Sequence, residues 1–166
     1  MAAHITRIAE SHAQGFHACL DAVAREKKYL AQVEALPLEQ IQQFVRESVA
    51  NDAAQFVALD GSVVVGWCDI FPAWAAAVKH CGALGMGVHS AHRGQGIGKQ
   101  LLVATIAHAQ RNGITRVELE VREDNAAAIR LYESAGFVHE GRKRKGMRFD
   151  NQYFDTLIMS LVHEEG

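Results

Sequence analysis

Apolar positions along the 166-residue chain change their period several times, and each change predicts a new element. Over residues 11–32, Phe16, Leu20, Val23 and Leu30 recur at helical spacing beside the charged run Arg25-Glu26-Lys27-Lys28, which predicts a helix followed by a loop. A second helix is expected over 38–50, starting just after Pro37 and carrying Ile41, Phe44, Val45 and Val49 on one side. The period then shortens to two. Residues 55–59 and 63–71 are rich in β-branched and aromatic side chains and flank Asp60-Gly61, a strong hairpin turn.

A third strand is expected over 80–88. Its glycines Gly82, Gly85 and Gly87 weaken an ordinary strand, so something is expected to approach this backbone closely. Residues 95–112 place Ile97, Leu101, Leu102, Ile106 and Ala109 on one stripe and stop at Asn112-Gly113, as an amphipathic helix does. Residues 116–121 alternate as a strand, 125–135 form a short helix stopped by Gly136, and strands over 137–148 and 152–161 flank Asp150-Asn151. This order predicts an α/β (α+β) fold with a mixed sheet covered by helices. No repeat, low-complexity tract or linker interrupts it, so a single domain over 1–166 is expected.

Composition narrows the partners. About half of the residues, 49%, are apolar, enough for a continuous core. A net charge of −2 offers no basic surface for a phosphate backbone, so neither a nucleic-acid nor a membrane partner is expected. Cys19, Cys68 and Cys81 are odd in number and scattered, which suits a reducing compartment better than a disulfide framework. The first residues lack the basic-then-apolar pattern of a secretory leader, and no stretch is long and apolar enough for a membrane span. A cytoplasmic location is the expectation.

Candidate chemistry begins in the run from Val88 to Lys99, where Gly94, Gly96 and Gly98 alternate between a strand and a helix N-terminus. Glycine permits positive φ and lets a ligand touch the main chain, while the helix start adds partial positive charge. The result is an anion cradle suited to a pyrophosphate. The Walker spacing fails, because Arg93 stands where a glycine is needed and Gln100 where Ser or Thr is. The dinucleotide fingerprint fails too, because it demands a glycine at Lys99. In the next helix Asn125, Ala128 and Tyr132 share one face. A slender ligand arm can lie against Ala128, and the Tyr132 phenol, still protonated at neutral pH, can give a proton to a departing thiolate. Tyr132 also reads as an aromatic packed on the sheet, and Asn125 as an ordinary N-cap.

Arg93-Gly94-Gln95-Gly96-Ile97-Gly98 resembles the Q/R-x-x-G-x-G/A signature of the GNAT N-acetyltransferases. The run from Asn125 through Ala128, Leu131, Tyr132 and Glu133 to Gly136-Phe137 resembles the second motif of that family at the usual separation, and the order of elements resembles its fold. The resemblance implies a mostly antiparallel, twisted sheet of about six or seven strands with helices on both faces. It implies acetyl-coenzyme A as cosubstrate, with Arg93 through Lys99 holding the pyrophosphate mainly by main-chain N–H groups. It further implies that the backbone of Met86 and Val88 pairs with the pantetheine arm, that Asn125 and Tyr132 serve the arm and sulfur, and that a homodimer is a natural assembly.

The acceptor is expected to be a primary amine of a small molecule or amino acid, attacking directly in a ternary complex. An ammonium must lose a proton before it attacks, so a carboxylate is expected nearby. Glu120 is the first candidate, because Leu119-Glu120-Val121-Arg122 resembles a segment of the ribosomal-protein alanine acetyltransferases whose Glu is considered the base. Glu118 shares its face of the strand, and alternation does not choose between them. Asp69, between Trp67 and Phe71, is a second candidate for base or acceptor contact, or a paired buried acid. Arg25, Glu26 and Tyr29 are further candidates for acceptor contact. The run Arg142, Lys143, Arg144, Lys145 and Arg148 reads either as an anion attractor or as protection of a sheet edge. His80, Cys81, His89 and His92 match no recognised zinc spacing, so no metal is assigned. The segment from Phe149 to Asp155 looks more like acetyltransferases of small amines, which departs from the ribosomal subgroup. The alternatives are a protein N-terminal or lysine acetyltransferase and a non-catalytic coenzyme A sensor.

Overall fold

The computed structural model describes residues 2–164 and turns the change of period into β1 (His4–Arg7), α1 (Ala13–Arg25), α2 (Leu38–Ala50), β2 (Ala54–Asp60), β3 (Val63–Pro72), β4 (Cys81–Val88), α3 (Ile97–Arg111), β5 (Arg116–Arg122), α4 (Ala126–Ser134), β6 (Val138–Phe149) and β7 (Gln152–Val162). The seven strands form one sheet in the order β1-β2-β3-β4-β5-β7-β6. Every neighbouring pair is antiparallel except β4 and β5. The expected fold class is therefore present, with one addition: β1 lies along β2, with His4 opposite Leu59 and Arg7 opposite Phe56.

Strand alternation divides the core into two layers. Trp67 of β3 points to the side of α1 and α2, where it packs with Phe16, Leu20, Val23, Ile41 and Val45. Its neighbours Cys68 and Ile70 point the other way, toward Leu101, Leu102 and Ala109 of α3 and Tyr132 of α4. Leu101, Leu102 and Met159 are almost wholly removed from water, each worth about 1.5–3 kcal/mol of hydrophobic stabilisation. The β6–β7 hairpin closes through Asp150 (φ 48°) and Asn151 (φ 67°), two residue types that tolerate left-handed backbone, as the Asp150-Asn151 pair predicted.

The feature that creates a site is the shortness of the parallel pairing. It joins only Cys81–Ala83 to Arg116–Glu118, after which β4 and β5 part. The β5-facing edge of β4 from Leu84 to Val88 is thus left without a strand partner, while its other edge pairs with β3 throughout. Among the described residues no helix is long and apolar enough to cross a membrane.

Candidate active site

A cleft of about 380 Å³ occupies the gap between the diverging strands, walled by Met86, Gly87 and Val88 on one side, Glu120 and Val121 on another, and Asn125, Ala128, Leu131 and Tyr132 of α4. Its mouth is the glycine loop. Gly94 (φ 77°) and Gly96 (φ 81°) adopt left-handed backbone, and neither has anything within 4 Å of where a Cβ would sit. The first amide of α3 bonded to main chain is that of Gln100, which donates to the Gly96 carbonyl. Among the described residues nothing accepts from the N–H groups of Gly94 to Lys99, so the helix start presents a row of free donors and its dipole to the mouth. Gly98 has a different task, since a Cβ there would lie 3.3 Å from Leu131 Cδ2 and 3.6 Å from Met86 Cε; its smallness sets the α3–α4 contact. Lys99 is exposed at the rim.

Arg93 faces inward. Its Nε donates to the Val88 carbonyl at 2.9 Å, its two terminal nitrogens donate to Glu26, and its guanidinium stacks 4.4 Å from the Tyr29 ring centroid. Its charge is therefore paired within the protein, while the loop amides stay unbonded. Glu26 and Tyr29, candidates for acceptor contact, both hold Arg93, and Tyr29 also lines the cleft, while Arg25 is paired with Asp21 and Glu34. Sequence spacing gave no signal for this clamp.

The α4 face assembles as its spacing predicted. Asn125 Oδ1 accepts the Ala128 N–H at 3.3 Å, the ordinary capping bond, and brings the helix start to the cleft. Tyr132 is only 8% exposed, tilted against Phe137 at 5.7 Å between ring centroids, yet still part of the cleft wall. Burial raises its hydroxyl well above the usual phenol range, so it stays protonated throughout the physiological range.

The glycines of β4 have a reason different from the one their sequence suggested. A Cβ at Gly87 would overlap the Trp67 ring, and one at Gly85 would lie 3.2 Å from Asp69 Oδ1. They make room for side chains of β3 on the α1–α2 side. The missing strand partner separately leaves one edge of β4 open.

The three candidate carboxylates differ in environment. Glu118 is committed to Arg116, which also holds Glu140. Glu120 lines the cleft; burial acts to raise its pKa, but Lys143 Nζ at 2.7 Å and the Thr156 hydroxyl at 2.8 Å outweigh it and leave the carboxyl below its ordinary value. Asp69 keeps some solvent exposure, but desolvation raises its carboxyl from 3.8 to about 7, opposed only by a long 3.5 Å contact from the Gln55 amide. The basic run divides likewise. It lies on the edge strand β6, where Lys143 serves Glu120 and Arg142 pairs with Glu123 and Asp155. All three cysteines are free. His92 contacts Asp60 at 3.2 Å, and among the described residues no three His, Cys, Asp or Glu side chains gather as metal ligands.

A family model described as Acetyltransferase (GNAT) family matches residues 16–137. A mycothiol acetyltransferase of Thermobispora bispora is 36% identical over 107 residues, 61% of this chain and 35% of the relative. An L-methionine sulfoximine/L-methionine sulfone acetyltransferase of Salmonella typhimurium is 31% identical over 115 residues, 66% of this chain and 64% of the relative. A [ribosomal protein bS18]-alanine N-acetyltransferase of Escherichia coli is 40% identical over 67 residues, 40% of this chain and 45% of the relative. The chain thus spans about a third of the length of the mycothiol acetyltransferase it matches. An acetyltransferase structure from Salmonella typhimurium, solved with its cofactor acetyl-CoA, shares the fold with a TM-score of 0.92 at 19% identity, covering 100% of this chain and 96% of that one.

Proposed function

The chain belongs to the acetyltransferase (GNAT) family, and on that premise we propose that it transfers the acetyl group of acetyl-coenzyme A to a primary amine of a small molecule or amino acid. The observation that carries this reading is the row of unpartnered amides from Gly94 to Lys99 at the mouth of a cleft whose inner wall holds Tyr132. Acetyl-coenzyme A, when bound, supplies an activated thioester and a thiolate leaving group.

The remaining steps belong to this chain. The N–H groups at Gly94, Gly96, Gly98 and Lys99 hold the pyrophosphate, with the α3 dipole behind them. The free β4 edge at Met86 and Val88 takes the place of a strand for the amide-bearing arm, and Ala128 leaves room for it beside the Asn125 cap. Main-chain donors of β4 polarise the thioester carbonyl as negative charge develops on its oxygen. Tyr132 gives its proton to the sulfur as the C–S bond breaks. The amine's proton passes to a carboxylate, for which the candidates are Glu120, which lines the cleft, and Asp69, which sits beside Gly85 on the same face of the sheet. The similarity to an acetyltransferase of methionine sulfoximine and methionine sulfone supports a small, amino-acid-like acceptor. The free thiols of Cys19, Cys68 and Cys81 support a reducing, cytoplasmic setting.

Calorimetry with acetyl-coenzyme A, followed by thiol release across a panel of amino acids, small amines and short peptides, tests the reading. Binding in the micromolar range and turnover with at least one amino-acid-like amine are expected. Binding without turnover on any amine would replace the enzyme with a coenzyme sensor, and turnover on peptide N-termini alone would replace the acceptor class.

A further inference from the structure

We propose that Asp69, rather than Glu120, accepts the proton of the attacking amine. This assignment rests on the acetyltransferase reading above and adds to it the identity of the base. Antiparallel register sets Asp69 beside Gly85, and parallel register sets Ala83 beside Glu118. Two residues further along each strand, where the pairing has ended, Gly85 and Glu120 lie on the same face on opposite sides of the gap. Asp69 and Glu120 therefore flank Gly85 from its two sides, at the place where β4 has lost its strand partner. With no side chain at residue 85, Asp69 Oδ1 lies over bare main chain of β4.

The two carboxylates are not equivalent. Both oxygens of Glu120 are already bonded, one to the Lys143 ammonium and one to the Thr156 hydroxyl. Asp69 has only the long contact from Gln55 Nε2 to Oδ2, which leaves Oδ1 free. Gln55 is itself wholly buried, with Oε1 unpartnered, so its amide sits behind the partly open Asp69 carboxyl beside the gap. No cation compensates it. The buried positions of α1 and α2 are apolar or neutral apart from the Cys19 thiol, which burial pushes up to about 12; Cys68 adjoins on β3. A carboxylate near 7 is a better-matched acceptor for an ammonium proton than one held below its ordinary value. The balance is simple: the amine nitrogen forms the C–N bond, the C–S bond breaks, Asp69 takes the nitrogen's proton, and Tyr132 protonates the sulfur. Glu120 remains an anion that attracts and orients the acceptor.

Asp69→Asn and Glu120→Gln separate the roles. For wild type, kcat with an accepted amine is expected to rise with pH along a limb near 7 that stays in place when amines of different basicity are compared. Asp69→Asn should lose that limb and at least about a hundredfold of kcat, while acetyl-coenzyme A binding stays within about twofold. Glu120→Gln should raise KM and keep the limb. Thermal melting guards against a folding artefact. A carboxyl raised from 3.8 to about 7 gives the folded state its full contribution below pH 4 and loses it as pH rises through 7. Asp69→Asn should therefore melt at or above wild type at pH 8 and show no gain at pH 4. Unchanged kcat in Asp69→Asn, or a limb that survives there and vanishes in Glu120→Gln, overturns the assignment. Wild-type protein that binds acetyl-coenzyme A but acetylates no amine overturns the enzyme reading itself, a distinct outcome.

Discussion

Arg93 and Glu26 meet as a fork, with Nη1 2.9 Å from Oε1 and Nη2 bonded to Oε2, although 67 residues separate them in sequence. The same guanidinium holds the Val88 carbonyl, so one side chain ties the anion loop to the end of β4 and to the segment after α1. Each partner keeps about a third of its side-chain surface exposed, which places the pair between a solvated ion pair and a buried one. Its worth is about 1 kcal/mol. Glu26→Gln is expected to lower Tm by about 2–4 °C and to weaken acetyl-coenzyme A binding several-fold by loosening the loop. Arg93→Lys should do the same, because an ammonium cannot make both bonds of the fork and the bond to Val88 together. Melting curves and calorimetry on both variants check this; full affinity in either means that the loop holds its shape without the clamp.

Tyr132→Phe keeps the ring that packs on Phe137 and removes only the proton donor. With its hydroxyl raised by burial, the phenol does not ionise below pH 10, so it should add no basic limb to the rate profile in that range. A thiolate is a fair leaving group unaided, and the expected loss in kcat is about 10–100-fold. Binding of acetyl-coenzyme A should change less than about twofold. Equal losses in turnover and affinity would make Tyr132 a positioning residue.

At Gly96 the constraint is conformational, since φ is 81° and open space surrounds the missing Cβ. Gly96→Ala should cost roughly 1–2 kcal/mol from left-handed strain and at least about tenfold in acetyl-coenzyme A affinity. The affinity loss should persist with adenosine 3′,5′-bisphosphate plus inorganic pyrophosphate as competitors, because relief of the left-handed strain shifts the amide row itself. A variant that binds normally would show that the anion sits elsewhere along the cleft.

Lys143 tests the state of Glu120. Lys143→Met removes the charge that holds the Glu120 carboxyl low and leaves Thr156 as its donor. A carboxyl lowered in the folded protein gives stability that is full above its unfolded value near 4.5 and is lost as pH falls through the lower folded value. The stability difference between Lys143→Met and wild type should therefore be present at pH 7 and shrink as pH falls below the ordinary carboxyl range and through the lowered folded value. Melting across that range reads it; a constant difference would mean that Lys143 acts through packing instead.

Local chemistry was legible in the sequence and long-range pairing was not. The Asp150-Asn151 turn and the α2 start after Pro37 were written in residues whose backbone preferences are intrinsic. The anion loop was legible because glycine alone tolerates its angles. β1 escaped notice because four residues with a single strongly apolar member, Ile5, carry too little contrast, and only β2 reveals why they are extended. Lys143 and Glu120 lie on strands that reach each other through β7, so no local pattern connects them. The same limit hid the side chains beside the β4 glycines, since Trp67 comes to face Gly87 and Asp69 to face Gly85 only once β3 and β4 are in register.

That register makes Gly87 and Trp67 a packing pair open to direct test. A Cβ at residue 87 would overlap the far edge of an indole that is only 2% exposed, so Gly87→Ala forces the ring off its seat at a cost of about 1–3 kcal/mol. Trp67→Leu removes that edge and leaves a void, costing about 2–5 kcal/mol alone. Because the new methyl fills part of the void, the double variant should be more stable than the sum of the single effects predicts, by about 1 kcal/mol or more. Urea unfolding of the four proteins measures the coupling. Had the glycine been kept for a ligand, the double variant would fold and fail to bind acetyl-coenzyme A. Near-normal binding in the double variant is the expected result, because on the proposed placement the coenzyme lies along the free edge of β4, while a methyl at residue 87 points toward the space the indole has vacated.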